Sequence, residues 1–299
     1  MSLKQNNYKV SNIKWLTICF SILWIANNLH GPVSMNFDFE IPYGSNDEVG
    51  EYVKINGFRM YFERYGSGEP LLLIHGNGGD IRSMGNQIKI FKRRYQVIVA
   101  DSRGHGKSGL STDSLTYDQM AKDWMGLIHY LKLDSVNILG WSDGGIIGLL
   151  LGMKYNKVRR LVSMAANLRP DSSALKPYFV EYVDSMSFVI DYHIAKGDQS
   201  KPWDIMKQQG ILMKYQPNIL PTDLQAIKAP TLIISGDDDI IKLEHSIEIF
   251  KHLRNGQFCA LPGDTHFSPV ANVEVFNRIV LHFLIHPFQR PTSNWNEWK

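Results

Sequence analysis

The chain has 299 residues, 44% of them hydrophobic and 20% charged, which is ample apolar material for one large globular domain, and it carries no repeat or low-complexity tract. Its 32 basic residues stand against 29 acidic ones. Three of those lysines, Lys4, Lys9 and Lys14, lie in the first 29 residues; the remainder is balanced and offers no electrostatic footprint for nucleic acid. With only Cys19 and Cys259, neither a disulfide framework nor a zinc site is available.

Residues 1–29 set those three lysines before the apolar stretch Trp15–Ala26. Its length suits the hydrophobic part of an export signal better than a bilayer span. We expect an exported, periplasmic or secreted protein, in contact with a membrane only if this leader is retained as an anchor. Residues 30–49, with Pro42, Gly44, Ser45 and Asn46, have the composition of a linker.

The folded domain is expected over residues 50–288, followed by a short tail at 289–299. Asn56-Gly57 is a hairpin signal between the runs Gly50–Ile55 and Phe58–Tyr65, so two antiparallel strands open the sheet. Leu71–His75 is continuously apolar, as in a strand buried on both faces. From there the pattern alternates: helix 81–91, strand 95–101, helix 117–131, strand 136–140, helix 144–154 and strand 158–165. After a long interval come strand 231–235, helix 243–253, strand 257–261 and helix 269–284. Eight strands with helices between them predict an α/β protein, a mostly parallel sheet covered on both faces. Residues 167–230 are too many for an ordinary connection and predict an inserted helical cap. Its Tyr178, Phe179, Tyr182, Met186, Phe188, Tyr192, Trp203, Met206, Met213 and Tyr215 have helical spacing, and most are expected to pack the cap onto the body.

Chemistry concentrates at Gly140-Trp-Ser142-Asp-Gly144, where strand passes into helix. A serine raised clear of a sheet in a strained turn leaves no room for side chains two positions before or after it, and both are glycine. Such a nucleophile needs a base and an acid to orient the base. Gly236-Asp-Asp-Asp239 follows one buried strand and Gly263-Asp-Thr-His266 follows the last, both at the carboxyl edge where open α/β sheets place functional groups. Asp239 is the expected acid and His266 the expected base; Asp237 and Asp238 read as solvated loop residues. A metal cluster of these acids with Glu244 and His245 matches no ligand spacing. His75-Gly-Asn77-Gly-Gly lets backbone approach Ser142, so the N–H groups of Asn77 and Asp143 are the expected oxyanion donors, with His75 bracing the loop. Gly106-Lys107-Ser108 resembles the end of a phosphate loop, but the first glycine of that motif falls on Asp101 and the cradle is incomplete. No cofactor is expected.

Taken together, His75-Gly76, Asp101-x-Arg-Gly-His-Gly-x-Ser108, Gly140-Trp-Ser-Asp-Gly144, Gly236-x-x-Asp239 and His266 resemble the α/β-hydrolase superfamily. The resemblance implies a serine esterase-like enzyme that acts on a small-molecule ester or related acyl bond. A lactonase, a carbon–carbon bond hydrolase, a perhydrolase or a slow-turnover ligand receptor are the alternatives on the same framework. Within that superfamily, the turn Gly140-Trp-Ser-Asp-Gly-Gly145 is similar to the elbow of biphenyl hydrolase-like, or valacyclovir hydrolase-type, esterases. That similarity implies a second part for Asp143, receiving a substrate amino group through its carboxylate; otherwise it contributes only its backbone N–H.

Overall fold

A computed structural model describes residues 37–290. The leader expected at 1–29 and most of the C-terminal tail lie outside the described residues. Strands β1 (Gly50–Ile55) and β2 (Phe58–Tyr65) form the antiparallel hairpin at Asn56-Gly57. The rest of the sheet comprises β3 (Glu69–Ile74), β4 (Tyr95–Ala100), β5 (Val136–Trp141), β6 (Val158–Met164), β7 (Thr231–Gly236) and β8 (Gly256–Leu261). Their order is β1-β2-β4-β3-β5-β6-β7-β8, parallel from β4 onward. Leu71–Ile74, Val97–Ala100 and all of β5 are buried, as a sheet covered on both faces requires.

The covering helices are α1 (Gly85–Phe91), α2 (Tyr117–Tyr130) and α3 (Asp143–Lys154). The cap supplies α4 (Pro177–Ala195) and α5 (Trp203–Tyr215), and α6 (Leu243–His252), α7 (Ser268–Ala271) and α8 (Val273–Ile285) follow. Two expected helices differ in detail. The segment from Ile81 opens as a 3-10 turn, Ile81–Met84, capped by Asp80, before α1 begins. The last helix is interrupted at Asn272, whose side chain turns back to donate to Asp264 Oδ2 at 2.9 Å.

Residues 37–49 are docked rather than trailing as a linker. Tyr43 is buried, and the backbone N–H groups of Gly44 and Asn46 donate to Glu63, whose fully buried carboxylate also accepts from the hydroxyls of Tyr61 and Tyr65 at 2.8 Å each. Four donors on one carboxylate offset the cost of taking its charge out of water. Below the sheet's carboxyl edge, Arg103 forms a bidentate pair with Asp123, both side chains buried, at 2.7 and 2.8 Å. This pair fixes the loop from Asp101 to Ser108 against α2.

Six of the ten cap side chains named above are buried or half-buried, in line with expectation, and four are exposed. Phe179, Val183 and Ile190 turn the inner face of α4 inward, and Trp203 is buried, but Phe188 and Tyr192 are 77% and 60% exposed on the outer face and Tyr215 is also exposed. The helical spacing of these aromatics covers more than one face, so only part of the set can meet the body. Helix α5 is held down by three glutamines. Gln208 donates to Asp113 O at 2.9 Å and accepts from Leu115 N; Gln209 donates to Gly104 O at 2.8 Å; Gln216 donates to Leu115 O and accepts from Tyr117 N. Where the cap leaves β6, Leu168 N donates to Nε2 of buried His245 at 2.9 Å, and His245 Nδ1 meets Glu248 at 2.9 Å.

His245 is therefore neutral, with its proton on Nδ1 facing Glu248. Burial first, then the nearby Arg169 charge, depress its pKa to about 4. The unfolded chain binds a proton on this group below about pH 6.5 and the folded chain does so only near 4, so stability is full above that window and falls as pH drops through it. The expected loss is on the order of 2–3 kcal/mol between pH 6.5 and 4, read as a falling urea midpoint, and His245→Gln should flatten that portion of the curve.

Candidate active site

Ser142 sits between β5 and α3 at φ 57 and ψ −119, a left-handed conformation that a side-chain-bearing residue adopts only under constraint. Its N–H donates to Met164 O of the neighbouring strand at 2.8 Å, and its carbonyl accepts from Gly145 and Ile146 as the helix begins. A Cβ on Gly140 would lie 2.0 Å from Gly144 O, and one on Gly144 would lie 2.0 Å from Ile74 O. The spacing that singled out this turn in the sequence is thus a demand for space between β5, α3 and β3.

The structure brings Asp239, His266 and Ser142 into one hydrogen-bonded line, although their loops are far apart in the chain. His266 Nε2 stands 2.9 Å from Ser142 Oγ, and His266 Nδ1 stands 2.7 Å from Asp239 Oδ1. All of Asp239 and most of His266 are buried, and Ile241 N donates to the same Asp239 oxygen at 3.0 Å. With a carboxylate on Nδ1, the imidazole keeps its proton there and leaves Nε2 to accept from the serine.

Three supports of this line escaped the sequence reading. Trp141, inside the elbow, donates its indole N–H to the carbonyl of His266 at 2.8 Å, fastening the base's backbone to the strand that carries the serine. Asp237, expected as a solvated residue, accepts from Gly263 N at 2.9 Å and Asp264 N at 3.2 Å, so the acid loop and the base loop are joined at their roots. An antiparallel bridge between Leu175 and Ile241, flanked by Lys176 N to Ile240 O and Lys242 N to Ala174 O, ties the start of the cap to the acid loop. None of these has a sequence spacing that would reveal it.

The loop after β3 lies against the serine. A Cβ on Gly76 would come within 3.0 Å of Ser142 Cβ. His75 braces this loop: Nδ1 donates to Gly76 O at 2.8 Å and Nε2 accepts from Ser102 N at 3.0 Å, with burial pulling its pKa down. Asp143 is the first residue of α3, so its N–H has no partner within the helix. Its side chain does not stand open to solvent. One carboxylate oxygen accepts from Asn77 Nδ2 at 2.9 Å and the other from the Tyr117 hydroxyl at 2.8 Å, and the residue is only 5% exposed. Burial raises its pKa to about 6, against the pull of these two donors and of His266. Among the described residues no cluster of three His, Cys, Asp or Glu side chains is placed to hold a metal ion.

A family model described as the alpha/beta hydrolase fold matches residues 69–189. The mouse serine hydrolase BPHL is 26% identical over 257 residues, covering 78% of this chain and 85% of that protein. A 2-hydroxy-6-oxo-6-(2'-aminophenyl)hexa-2,4-dienoic acid hydrolase of Metapseudomonas resinovorans is 26% identical over 263 residues, 79% of this chain and 91% of its own length. Among solved structures, a thermophilic esterase from Thermogutta terrifontis superposes with a TM-score of 0.65 at 25% identity, over 78% of this chain and 98% of that one. The chain has the α/β-hydrolase fold and is a hydrolase.

Trp141→Phe keeps the ring and removes the N–H that holds His266. The expected result is a roughly 5- to 10-fold slower reaction of Ser142 with a fluorophosphonate, corresponding to about 1–1.4 kcal/mol for a lost neutral hydrogen bond, with the melting temperature nearly unchanged.

Proposed function

We propose that this chain is a serine hydrolase that cleaves small-molecule carboxylic esters through an acyl-enzyme intermediate. The observation that carries this reading is the contact of 2.9 Å between His266 Nε2 and Ser142 Oγ, backed by Asp239 at 2.7 Å. In the first half-reaction Ser142 Oγ attacks the carbonyl carbon while His266 Nε2 takes the hydroxyl proton. Asp239 holds the imidazole in place and in the tautomer that leaves Nε2 to accept. The N–H groups of Asn77 and Asp143 receive the negative charge that develops on the carbonyl oxygen. When the tetrahedral intermediate collapses, the C–O bond to the alcohol breaks and His266 returns its proton to the leaving oxygen. Water, deprotonated by the same imidazole, then releases the acid and regenerates the serine.

The resemblance at the elbow also brings aminoacyl esters into consideration, with the Asp143 carboxylate as receiver of the substrate's amine. Both of that carboxylate's oxygens already accept hydrogen bonds and little of the residue is exposed. This favours esters selected without a required amine. The partner is accordingly a small ester-like molecule.

Ser142→Ala should lose at least about 10³-fold in turnover of p-nitrophenyl butyrate while melting like the parent, and fluorophosphonate should label the parent at Ser142 alone. Full residual turnover in the alanine variant removes Ser142 from the mechanism. A panel of lactones and carbon–carbon bond hydrolase substrates, run against the same label, separates the ester reading from its relatives. We further propose export, on the pattern of Lys4, Lys9 and Lys14 before the apolar stretch Trp15–Ala26. N-terminal sequencing of the protein from its native host should find a start downstream of residue 26, and a start at Met1 in the cytoplasm would end that reading.

A further inference from the structure

Asp143 presents a buried carboxylate beside the nucleophile, and the two groups that hold it come from different parts of the fold. Tyr117 is the first residue of α2, behind the cap of Thr116, and its hydroxyl reaches Asp143 Oδ1 at 2.8 Å. Asn77 lies in the loop after β3 and its amide reaches Asp143 Oδ2 at 2.9 Å. The same Asn77 amide approaches Gln209 O at 3.5 Å, and Gln209 in turn donates to Gly104 O at 2.8 Å. A continuous line therefore runs from α2 through the elbow to the oxyanion loop and on to cap helix α5.

Asn77 needs such a tie. Its loop is half-buried, Gly76 precedes it, and Gly78 follows at a φ of 67, a conformation open to glycine. The direction of the Asn77 N–H is then set by what its side chain holds, and that is Asp143. Since the carboxylate belongs to the residue that follows the nucleophile, one residue governs both proposed oxyanion donors: its own N–H directly, and that of Asn77 through the side chain.

We infer that the Asp143 carboxylate is a positioning group for the oxyanion hole, braced by Tyr117 and acting through Asn77, and that it does not serve as the receiver of a substrate amine. This rests on the serine hydrolase reading above. The geometry carries a specific expectation about the conservative variant. In Asp143→Asn the new Oδ1 still accepts from Tyr117, and a turned Asn77 amide can accept from the new Nδ2, so the brace is rebuilt without charge. In Asp143→Ala both bonds are gone. A group that received a substrate ammonium would be lost equally in both variants, because neither carries the negative charge.

The test measures kcat and KM of the full chain, and of its Asp143→Ala, Asp143→Asn and Tyr117→Phe variants, on p-nitrophenyl butyrate and on a p-nitrophenyl ester of alanine, with melting curves to confirm folding. Fluorophosphonate labelling of the parent at Ser142 is done first and judges the hydrolase reading independently. Given a labelled parent, Asp143→Ala should lose 10- to 100-fold in kcat on both esters with KM within about twofold, Asp143→Asn should stand within about fivefold of the parent on both, and Tyr117→Phe should fall between. An unchanged kcat in Asp143→Ala would overturn the inference. So would a loss confined to the alanine ester and equally deep in Asp143→Asn, which would return the carboxylate to amine recognition. Should Asp143→Ala not fold, the Tyr117→Phe and Asp143→Asn pair decides alone. A KM rise for the alanine ester only, in Asp143→Asn, sinks the inference, and parallel kcat losses on both esters in Tyr117→Phe sustain it.

Discussion

Everything about this site follows from a turn with no spare volume. Where β5 ends, three backbone segments come so close that a single methyl group on Gly140 or Gly144 would collide with a carbonyl oxygen, and Ser142 is left in a conformation that costs on the order of 1–3 kcal/mol. The sheet bears that cost because the Ser142 N–H is bonded into β6 and its carbonyl starts α3. The strain lifts the hydroxyl off the sheet and points it at the imidazole. It also sets the N-terminus of a helix, with its unpaired N–H groups, beside the hydroxyl.

Around that turn the fold builds rigidity from hydrogen bonds between distant loops. The acid and base loops are joined by Asp237, the base is fastened to the elbow by Trp141, and the cap is stitched to the acid loop beside Asp239. The side chains of Ser142, Asp239 and His266 come from three chain positions but rest on one connected frame. Preorganisation of this kind lets the site meet a developing charge without rearranging first.

The architecture was readable in the sequence because it is written in local chemistry. Continuous apolar runs mark strands covered on both faces, Asn56-Gly57 marks the hairpin, and the glycines around Ser142 mark a steric demand. Asp239 and His266 were identifiable by their place after buried strands, and the structure sets both within hydrogen-bonding distance of one line ending at Ser142. What the sequence hid depends on tertiary approach. Tyr117 and Asp143 are 26 positions apart and Trp141 and His266 are 125 apart, with no periodicity connecting either pair. Asp237 reads as a solvated loop acid and is exposed, but only the fold shows that its carboxylate also accepts from Gly263 and Asp264. The four exposed cap aromatics were hidden for a related reason: helical spacing says which residues share a face, but not whether that face meets the body or the solvent.

The two cap helices are attached by different physics. Helix α5 is seated by the amides of Gln208, Gln209 and Gln216, which carry no charge, whereas α4 is joined to α5 by the ion pairs Lys207–Asp191 and Lys214–Asp184 at 2.8 Å near the surface. Counter-ions weaken exposed pairs and leave neutral amide bonds nearly untouched. Brine would therefore strip only the charged clasp between the two helices, while the buried Phe179, Val183 and Ile190 of α4 and the amides of α5 would still keep both in place.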